Sequence, residues 1–593
     1  MDVVLVGGVE LVIDFVSPQI GPLIIKNIIS SKYECEFLDF DYLTVSGKIR
    51  SMGTYEENIN LYVEYVLKEN PKIVGFYTMC NSFDITIRMA RKIKERKKDI
   101  RIMFGGPQAT LNFRECLLYF DFLDVIVLGE SEKTILPVID NLLNNCSLDG
   151  LKGIAFKEKN KIKFSGMNEL LTNEELYEYV LEDYSPYSID KKDILSLEGG
   201  RGCPYNCTFC STSIFWGRKY RVINAYNFVD HIEKLRNRYG IEKISIVHDH
   251  FTVSSKHVKL FCEELKRRKL NIEWNCSARV NNLDSCILEL MKESGCKNIF
   301  IGMETGSPRM QRIINKNIDL EQAFQKIIEI KNLGIDMTIS LIYGFPDESI
   351  EDFFETICYI ERLYEYGIYN VQMHYFNIYN KTEEYNKVKD IMYFEKNSID
   401  FSLYEDKTFD SETIHLITEY PCLFSQYYTF DTEVRKKYPL FETLICMISI
   451  SIHIFENTLL NIIKQKGILN LYKDLEKEII EIHKKKICEN NIRKSIAEKN
   501  FELLECMDKY IKDNYVANDI DRVLYRFERS KCDFAKGKED NKYIIFPYDI
   551  QQLIKSRELI PQETAYLLYR MEDNRVKVKR IPTLLKNIVK EIL

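Results

Sequence analysis

The sequence lacks several features that would point to common classes of protein. Its 593 residues include 82 lysine and arginine residues against 89 acidic ones, a net charge of −7. A protein held to nucleic acid mainly by phosphate contacts usually shows a basic surplus, so we expect no nucleic-acid partner. The longest uncharged apolar run, residues 443–455, is shorter than the roughly 18 residues that a membrane span needs. We therefore expect a core helix there and no membrane span.

Cysteine is too scarce for a disulfide scaffold. The chain has 17 cysteines, an odd number, and this usage fits reduced thiols better than an extracellular disulfide framework. The first residues, MDVVLVGG, have no positively charged region and predict a buried strand rather than a signal peptide. We accordingly expect a cytoplasmic protein.

Short apolar runs alternate with amphipathic stretches over the first 150 residues. The five runs begin at Val3, Glu34, Lys72, Arg101 and Asp124. This alternation indicates an α/β fold with a doubly wound parallel sheet of the flavodoxin or Rossmann type. We predict such a domain over residues 1–150, followed by a hairpin and a linker over residues 151–193.

A second series of strand patterns follows, again separated by helical stretches. Its members begin at Leu195, Lys243, Ile272, Asn298, Met337 and Asn370. Six βα units are two fewer than a complete barrel has, so we predict a partial (β/α)6 barrel over residues 194–384. Helical patterns rich in Lys, Glu, Ile and Leu dominate residues 385–593 and predict a mostly α-helical C-terminal domain. Functional groups of parallel βα folds gather at the carboxyl ends of the strands.

Three cysteines follow the first strand of the predicted barrel. Cys203, Cys207 and Cys210 have the spacing Cys-x3-Cys-x2-Cys, in a Gly- and Pro-containing loop that permits tight turns. A ferredoxin cubane takes four thiolates, so three would leave one iron open. Three unrelated thiols or a structural zinc site are the alternatives, although zinc requires a fourth ligand and usually paired cysteines. The other fourteen cysteines are scattered, and we predict one cluster only.

With this motif, residues 195–376 resemble the radical S-adenosylmethionine (SAM) superfamily. The resemblance implies one 4Fe-4S cluster on the three cysteines, whose open iron binds the amino and carboxylate groups of SAM. One electron from an external flavodoxin- or ferredoxin-type reductant would cleave the sulfonium. The resulting 5′-deoxyadenosyl radical would take a hydrogen atom from the substrate, chemistry that belongs to the cofactor. The resemblance assigns no catalytic side chain.

The resemblance also implies contacts to SAM at later strand ends. These are Phe209 beside adenine, Asp249 at the methionine end, Ser277 and Arg279 at the carboxylate, Glu304 at the ribose or the amino group, and Gly344 in backbone contact with adenine. For each of them a purely structural role, such as a salt bridge, is the alternative. His248 and His250 share one face of their strand, so a joint metal-ligand role competes with ordinary core or surface positions.

The N-terminal domain resembles the cobalamin-binding domain that precedes many radical SAM enzymes. The resemblance lies in Gly105-Gly106-Pro107-Gln108-Ala109 and in Leu128-Gly129-Glu130-Ser131-Glu132. It implies Thr78, Gly105, Gly106 and Glu130 as cobalamin contacts, with a tight structural turn at the glycines as the alternative. The loop at residues 9–21 has no histidine, and the first histidine of the chain is His231. Any cobalamin would therefore lack a histidine ligand from this domain, or the domain keeps the fold without the cofactor.

The leading hypothesis is a cobalamin-dependent radical methyltransferase. It would act on an unreactive carbon or phosphorus centre of a small molecule or a peptide. The alternatives are a cobalamin-independent radical rearrangement, cyclisation or peptide modification, and a non-catalytic iron-sulfur sensor or binding protein.

Overall fold

The structure is a computed structural model that describes residues 1–11, 16–394, 410–488, 496–515, 519–536, 541–548, 550–556, 561–570 and 576–580. The chain divides into two compact units. The first comprises Met1–Phe353, His374–Pro439 and Ile487–Ser495, and the second comprises Phe354–Met373, Leu440–Lys486 and Ile496–Leu593. This division does not follow the predicted boundary at residue 385, because His374–Pro439 group with the first unit.

The N-terminal sheet has seven strands in the order β2-β1-β3-β4-β5-β6-β7. They are β1 (Val3–Val6), β2 (Cys35–Leu38), β3 (Ile73–Tyr77), β4 (Arg101–Gly105), β5 (Val125–Val127), β6 (Ile154–Glu158) and β7 (Lys161–Phe164). The first five strands pair in parallel, as the sequence predicts. The predicted hairpin is β6 and β7, and it extends the sheet in antiparallel pairing. This strand order places the topological switch point, the usual binding edge, between β1 and β3.

Helices flank this sheet because their apolar residues recur on one side. The helices are α1 (Ile20–Ser30), α2 (Phe40–Val45), α3 (Tyr55–Lys68), α4 (Phe83–Arg96), α5 (Pro107–Leu111), α6 (Phe113–Tyr119), α7 (Ile135–Leu143) and α8 (Asn173–Glu178). In α4, Ile85, Met89 and Ile93 are fully buried at helical spacing, and because residues 83–90 are all buried, the first half of this helix is covered on every side. The Thr54 side chain and Glu57 form a capping box that starts α3, which satisfies two backbone donors of its first turn.

The second sheet has six strands in the order β15-β14-β13-β12-β11-β8. The strands are β8 (Ile194–Glu198), β9 (Gly200–Arg201), β10 (Arg221–Val222), β11 (Lys243–Val247), β12 (Glu273–Ala278), β13 (Cys296–Glu304), β14 (Asp336–Tyr343) and β15 (Val371–Tyr375). Strands β8 and β11 to β14 pair in parallel, and neighbours in the sheet follow chain order, which is the topology of a partial barrel. The prediction of six βα units is confirmed. Strands β9 and β10 form a separate antiparallel pair.

The helices of this part alternate with the strands and then continue beyond them. They are α9 (Ser211–Phe215), α10 (Ala225–Tyr239), α11 (Ser255–Arg268), α12 (Ser285–Glu293), α13 (Pro308–Ile313), α14 (Leu320–Asn332), α15 (Ile350–Glu365), α16 (Glu383–Val388), α17 (Ser411–Glu419) and α18 (Glu433–Lys437). Helix α11 begins where the Ser254 side chain accepts a hydrogen bond from the His257 backbone, and it ends where Lys269 takes a left-handed conformation. These are ordinary start and stop signals.

The second unit is mostly helical, as predicted. Its helices are α19 (Phe441–Ser451), α20 (Glu456–Lys466), α21 (Ile468–Cys488), α22 (Ile496–Tyr515), α23 (Asp519–Lys536) and α24 (Ile550–Ser556). The apolar run at residues 443–455 lies mainly in α19, most of whose residues are buried. None of the described helices combines the length and apolarity that crossing a membrane requires. The sequence analysis missed an antiparallel sheet of β16 (Asn541–Tyr548), β17 (Pro561–Arg570) and β18 (Val576–Arg580).

A buried ion network joins the end of β5 to the pair β9 and β10. The Glu130 carboxylate, whose side chain is 1% exposed, lies 3.0 Å from Arg201 and 2.7 Å from Arg221. It also accepts a hydrogen bond of 2.6 Å from the Leu171 backbone. Arg201 further pairs with Glu132 at 2.7 Å and with Glu198 at 2.8 Å. Two guanidinium groups therefore hold three carboxylates at the junction of the two sheets.

Replacing Glu130 by glutamine should destabilise the first unit strongly. The change removes one charge and leaves two buried arginines undercompensated, a loss that costs about 3–5 kcal/mol in buried pairs. We expect a lower denaturant midpoint, followed by tryptophan fluorescence because Trp216 packs near both arginines. Glu182→Gln is the control, because Glu182 and its partner Lys234 are both about half exposed. Such exposed ion pairs contribute roughly 0–1 kcal/mol to the free energy of unfolding. Equal midpoints for the two variants would contradict the assigned role of the network.

Glu348 is a second buried carboxyl group near a strand end. It follows β14, and its Oε2 accepts a hydrogen bond from the Gly344 backbone N–H. Burial raises the pKa of Glu348 to about 8, and the nearby Asp352 charge acts in the same direction. Because the folded state holds this proton more tightly than the unfolded chain, protonation stabilises the fold fully below the ordinary pKa. That stabilisation is lost as the pH rises through about 8.

Glu348→Gln should therefore remove a pH dependence of stability. Glutamine imitates the neutral carboxyl group and can still accept from Gly344. We expect the Tm of the variant, relative to that of the wild type, to increase as the pH rises from about 5 to about 9. Thermal melts across this range provide the measurement. Glu351→Gln, an exposed change on α15, is the control and should run parallel to the wild type. Parallel curves for Glu348→Gln would show that the carboxyl is already ionised.

Candidate functional site

The strands of the partial barrel present one open face. Along β8, β11, β12 and β13 buried residues alternate with half-buried or exposed ones. Toward the carboxyl ends of these strands the open positions are Ser196, Glu198, Ser245, Val247, Asn275, Ser277, Phe300 and Gly302. Complete eight-stranded barrels fill their interior with bulky branched residues, whereas small and polar side chains dominate here. This face therefore has the polarity to receive a ligand.

The cysteine loop connects β9 to α9. Its first residue, Gly202, has φ +84, and a Cβ there would lie 2.1 Å from the Lys219 carbonyl oxygen, so only glycine fits this close approach. The Gly202 N–H donates to Asp249 Oδ2 at 2.8 Å. Thus the turn that begins the loop is held by a side chain from the end of β11.

Three further anchors hold the body of the loop. The Tyr205 hydroxyl donates to Asn282 Oδ1 at 2.9 Å, and the Asn315 amide donates to the Asn206 carbonyl at 2.8 Å. The Thr208 hydroxyl donates to Glu384 at 2.6 Å. The segments that follow β12 and β13 and the start of α16 thereby fix the loop between the cysteines.

Cys203, Cys207 and Cys210 are all free and partly buried. Burial raises the pKa of Cys203 to about 11 and also raises that of Cys207, where the charges of Lys316 and Arg279 oppose the shift. In the described ranges, no three or more His, Cys, Asp or Glu side chains form a group suited to a single metal ion. This finding gives no support to a zinc site. Thiolates of an iron-sulfur cubane bind different irons and need not converge on one point, so the same finding does not argue against a cluster.

Arg279 lies beside the loop, as predicted for a carboxylate-binding residue. Its guanidinium is 4.0 Å from the centre of the Tyr205 ring, and only 7% of the residue is exposed. Its Nε is buried and makes no hydrogen bond within the protein. A planar cation with an unfilled donor suits a carboxylate. Ser277 lies two residues earlier and is half-buried.

Asp249 differs from the prediction in one respect. Its carboxylate is already engaged by the Gly202 N–H, and the Trp216 side chain packs against the same glycine. Burial raises the pKa of Asp249, and the Gly202 hydrogen bond and the nearby Trp216 side chain oppose that shift. The residue therefore positions the loop in addition to any contact that it makes with SAM.

Glu304 ends β13 in a strained conformation. Its φ is +65, a left-handed geometry that costs a non-glycine residue about 1–3 kcal/mol. Gln311 stabilises this turn by donating 2.8 Å hydrogen bonds to the carbonyls of Met303 and Thr305. The Glu304 carboxylate pairs with Lys316 at 2.8 Å, both side chains being nearly buried. The sequence analysis missed Lys316, since nothing in the local pattern marks it.

Phe209 and Gly344 lie at the same side of the site. Gly344 has φ +81, and the following Phe345 packs edge-on against Phe209 with ring centres 5.8 Å apart. The two segments predicted to contact adenine therefore meet.

His248 and His250 are both buried, but they follow β11 in a turn and do not share a strand face, contrary to the prediction. Their rings lie against Tyr220 and Tyr205, respectively. Burial lowers the pKa of His248 to about 3 and that of His250 to about 4. Neither takes part in a metal-binding group among the described residues, so the geometry favours ordinary core positions.

A cavity of about 420 Å³ opens at the carboxyl edge of the N-terminal sheet. The ends of β1, β3, β4 and β5 line it on one side, with Tyr77, Gly105, Gly106 and Gly129 among them. On the other side it is lined by Ser196, Glu198, Arg201, Phe215, Trp216 and Val247. The described residues that line it include no histidine. Residues 12–15 of the loop at 9–21 lie outside the described residues.

Gly105 and Gly106 border this cavity as predicted. Gly106 has φ +94, and a Cβ there would lie 2.8 Å from the Thr78 carbonyl oxygen. Glycine is therefore required by the turn itself, and it also leaves the backbone accessible from the cavity.

Two of the predicted cobalamin contacts have other roles in the structure. The Thr78 hydroxyl donates to the Gly105 carbonyl at 2.7 Å and accepts from the Ala109 N–H at 2.9 Å. Its single proton is thus used, and Thr78 holds the glycine turn instead of offering a donor to a ligand. Glu130 borders the cavity, but the network with Arg201 and Arg221 occupies its carboxylate.

Known proteins share these two domains. Residues 197–360 match the Radical SAM superfamily, and residues 9–138 match the B12 binding domain. An uncharacterized methyltransferase of Pyrococcus horikoshii is 27% identical over 364 residues, which cover 60% of this chain and 76% of that protein. An anaerobic magnesium-protoporphyrin IX monomethyl ester cyclase of Rubrivivax gelatinosus is 26% identical over 306 residues, 49% of this chain and 54% of that protein.

The fold is also found in a solved structure. One such structure is that of TsrM from Kitasatospora setae, a radical SAM methyltransferase, with tryptophan and a SAM analogue bound. It is 15% identical to this chain with a TM-score of 0.52, and the match covers 65% of this chain and 76% of that chain. A second TsrM structure contains cobalamin and a [4Fe-4S] cluster. The chain described here therefore carries a B12-binding domain followed by a radical SAM domain.

Proposed function

We propose that this protein is a cobalamin-dependent radical SAM methyltransferase that acts on an unreactive carbon or phosphorus centre. One observation carries the proposal. Trp216 borders the cavity of the N-terminal sheet and also packs against Gly202, the first residue of the cysteine loop, where a Cβ would lie 3.2 Å from the Trp216 Cβ. A cobalamin site and a cluster site in these two places would share one wall, as transfer between them requires.

In this proposal the three cysteines hold one 4Fe-4S cluster, and the cavity holds cobalamin. When bound, cluster and SAM together supply the 5′-deoxyadenosyl radical, and cobalamin supplies a methyl group. Arg279 and Ser277 receive the SAM carboxylate, and Glu304 the ribose or the amino group. Phe209 and the backbone of Gly344 contact adenine, and Asp249 lies at the methionine end. Gly105 and Gly106 let the backbone approach cobalamin, while Thr78 and Glu130 shape its surroundings.

The partners follow from the same chemistry. The proposed reaction takes electrons from an external one-electron reductant, which we propose is a flavodoxin or ferredoxin in the cytoplasm. The substrate is proposed to be a small molecule or a peptide that enters by the open face of the barrel.

A second candidate function is radical cyclisation without methyl transfer. The similarity to the monomethyl ester cyclase of Rubrivivax gelatinosus favours it, since that protein shares 306 aligned residues with this chain. Product analysis separates the two functions, because methyl transfer from SAM leaves S-adenosylhomocysteine and radical initiation leaves 5′-deoxyadenosine.

The cysteine loop can be tested by single alanine variants at Cys203, Cys207 and Cys210. Each should lose iron and abolish the formation of both SAM products, because the cluster needs three thiolates. Iron analysis and chromatography after anaerobic reconstitution and reduction provide the measurements. Cys286→Ala, which changes an exposed cysteine, should retain iron and both products. If the wild type forms 5′-deoxyadenosine alone, methyl transfer is wrong; if it cleaves no SAM, the sensor or binding hypothesis gains.

The cavity can be tested separately through Gly106. In Gly106→Ala the new Cβ meets the Thr78 carbonyl and the residue must keep φ +94, so the turn should shift into the cavity and release cobalamin. Gly47→Ala is a matched control, because Gly47 has φ +72 with nothing within 4 Å of its Cβ position. After reconstitution we expect cobalt to fall at least tenfold in Gly106→Ala at unchanged iron content, and both metals to be retained in Gly47→Ala. Full cobalt in Gly106→Ala would place cobalamin elsewhere.

A further inference from the structure

Arg435 is a buried cation on α18, beyond the residues that match the radical SAM domain. Only 6% of the residue is exposed. Its guanidinium donates to the Gly344 carbonyl at 2.8 Å, to the Phe376 carbonyl at 2.7 Å and to the Thr429 hydroxyl at 3.1 Å. The fixed fork of an arginine can serve three acceptors in three directions, which a lysine cannot.

Aromatic rings enclose the same guanidinium. Its central carbon is 3.7 Å from the centre of the Phe430 ring and 4.1 Å from that of Tyr375. Such cation–π contacts are strongest where water is excluded. Removing a charge from water is unfavourable unless hydrogen bonds replace those to water. Arg435 therefore requires its three acceptors and holds them in place.

One of these acceptors, the Gly344 carbonyl, belongs to the turn at the end of β14. The N–H of Gly344 is held by Glu348, and its C=O is held by Arg435. A Cβ on Gly344 would lie 3.2 Å from Arg435 Nε, so the guanidinium packs directly on this residue. Both polar groups of Gly344 are therefore clamped, from opposite sides of the turn.

The turn at Gly344 is connected to the cysteine loop by the packing of Phe345 against Phe209. Phe345 packs on Phe376 with ring centres 4.9 Å apart, and it packs edge-on against Phe209 at 5.8 Å. Phe209 lies between Cys207 and Cys210. Arg435 thus holds both Gly344 and Phe376, the two residues between which Phe345 is supported.

We propose that Arg435 is a positioning residue for the adenosine end of SAM. It acts through the Gly344 carbonyl and through Phe345, and it does not touch SAM itself. The inference rests on the proposed function, in which Gly344 and Phe209 contact adenine. It assigns to the segment after the barrel a part in forming the SAM site.

The experiment measures SAM binding by equilibrium dialysis on the reconstituted protein. Arg435→Ala should raise the Kd and the KM for SAM about tenfold, with iron content unchanged and kcat within about twofold. Methylguanidinium at millimolar concentration should fill the vacated space and restore SAM affinity in this variant. Lys437→Ala is the matched control, since it removes an exposed charge from the same helix and should leave the affinity unchanged.

A purely structural role would lower stability and iron content without a selective loss of SAM affinity. The proposal is overturned if Arg435→Ala retains its iron and binds SAM as the wild type does, or if methylguanidinium stabilises it without restoring affinity. Should Arg435→Ala not fold, Arg435→Lys carries the same test, with a smaller rise in Kd expected because lysine keeps the charge but loses the fork. A wild-type protein that binds no SAM would refute the proposed function, a result distinct from either outcome for Arg435.

Discussion

The pairing of Arg201 with three carboxylates is the constraint on which both halves of the site depend. Arg201 directly precedes Gly202 and Cys203, and its partners Glu130 and Glu132 follow the last parallel strand of the N-terminal sheet. A guanidinium withdrawn from water is stable only where such partners meet it with good geometry. The position of the cysteine loop is therefore tied to the edge of the other sheet, and the cavity lies along this connection.

Trp216 connects the ion network to the cavity and to the cysteine loop. It packs beside Arg201 and Arg221, borders the cavity and packs against Gly202. The same residue therefore contacts the ion network, forms part of the cavity wall and packs against the first residue of the cysteine loop. A displacement of the network would reach both proposed cofactor sites, because no flexible segment lies between Arg201 and the first cysteine.

The sequence predicted those features that have a local signature. Alternating apolar residues located all six strands of the barrel, and the spacing of Cys203, Cys207 and Cys210 located the loop. Long-range partners have no such signature. Glu130 meets arginines 71 and 91 residues away, and Arg435 meets Gly344 at a separation of 91 residues. Neither set of contacts could be predicted from local sequence patterns, because only the fold brings these residues together.

Thr78 and Glu130, both predicted to contact cobalamin, have partners within the protein for a common physical reason. A polar residue at the end of a parallel strand is well placed for a ligand, but it is equally well placed to satisfy the turn that follows the strand. Thr78 meets the demands of the glycine turn at Gly105 and Ala109, and Glu130 meets those of two buried guanidiniums. Arg279 differs, because its buried Nε has no protein partner. A strand-end polar group that the protein leaves unsatisfied is therefore the stronger candidate for a ligand contact, and by this criterion Arg279 is better supported than Asp249, whose carboxylate already holds Gly202.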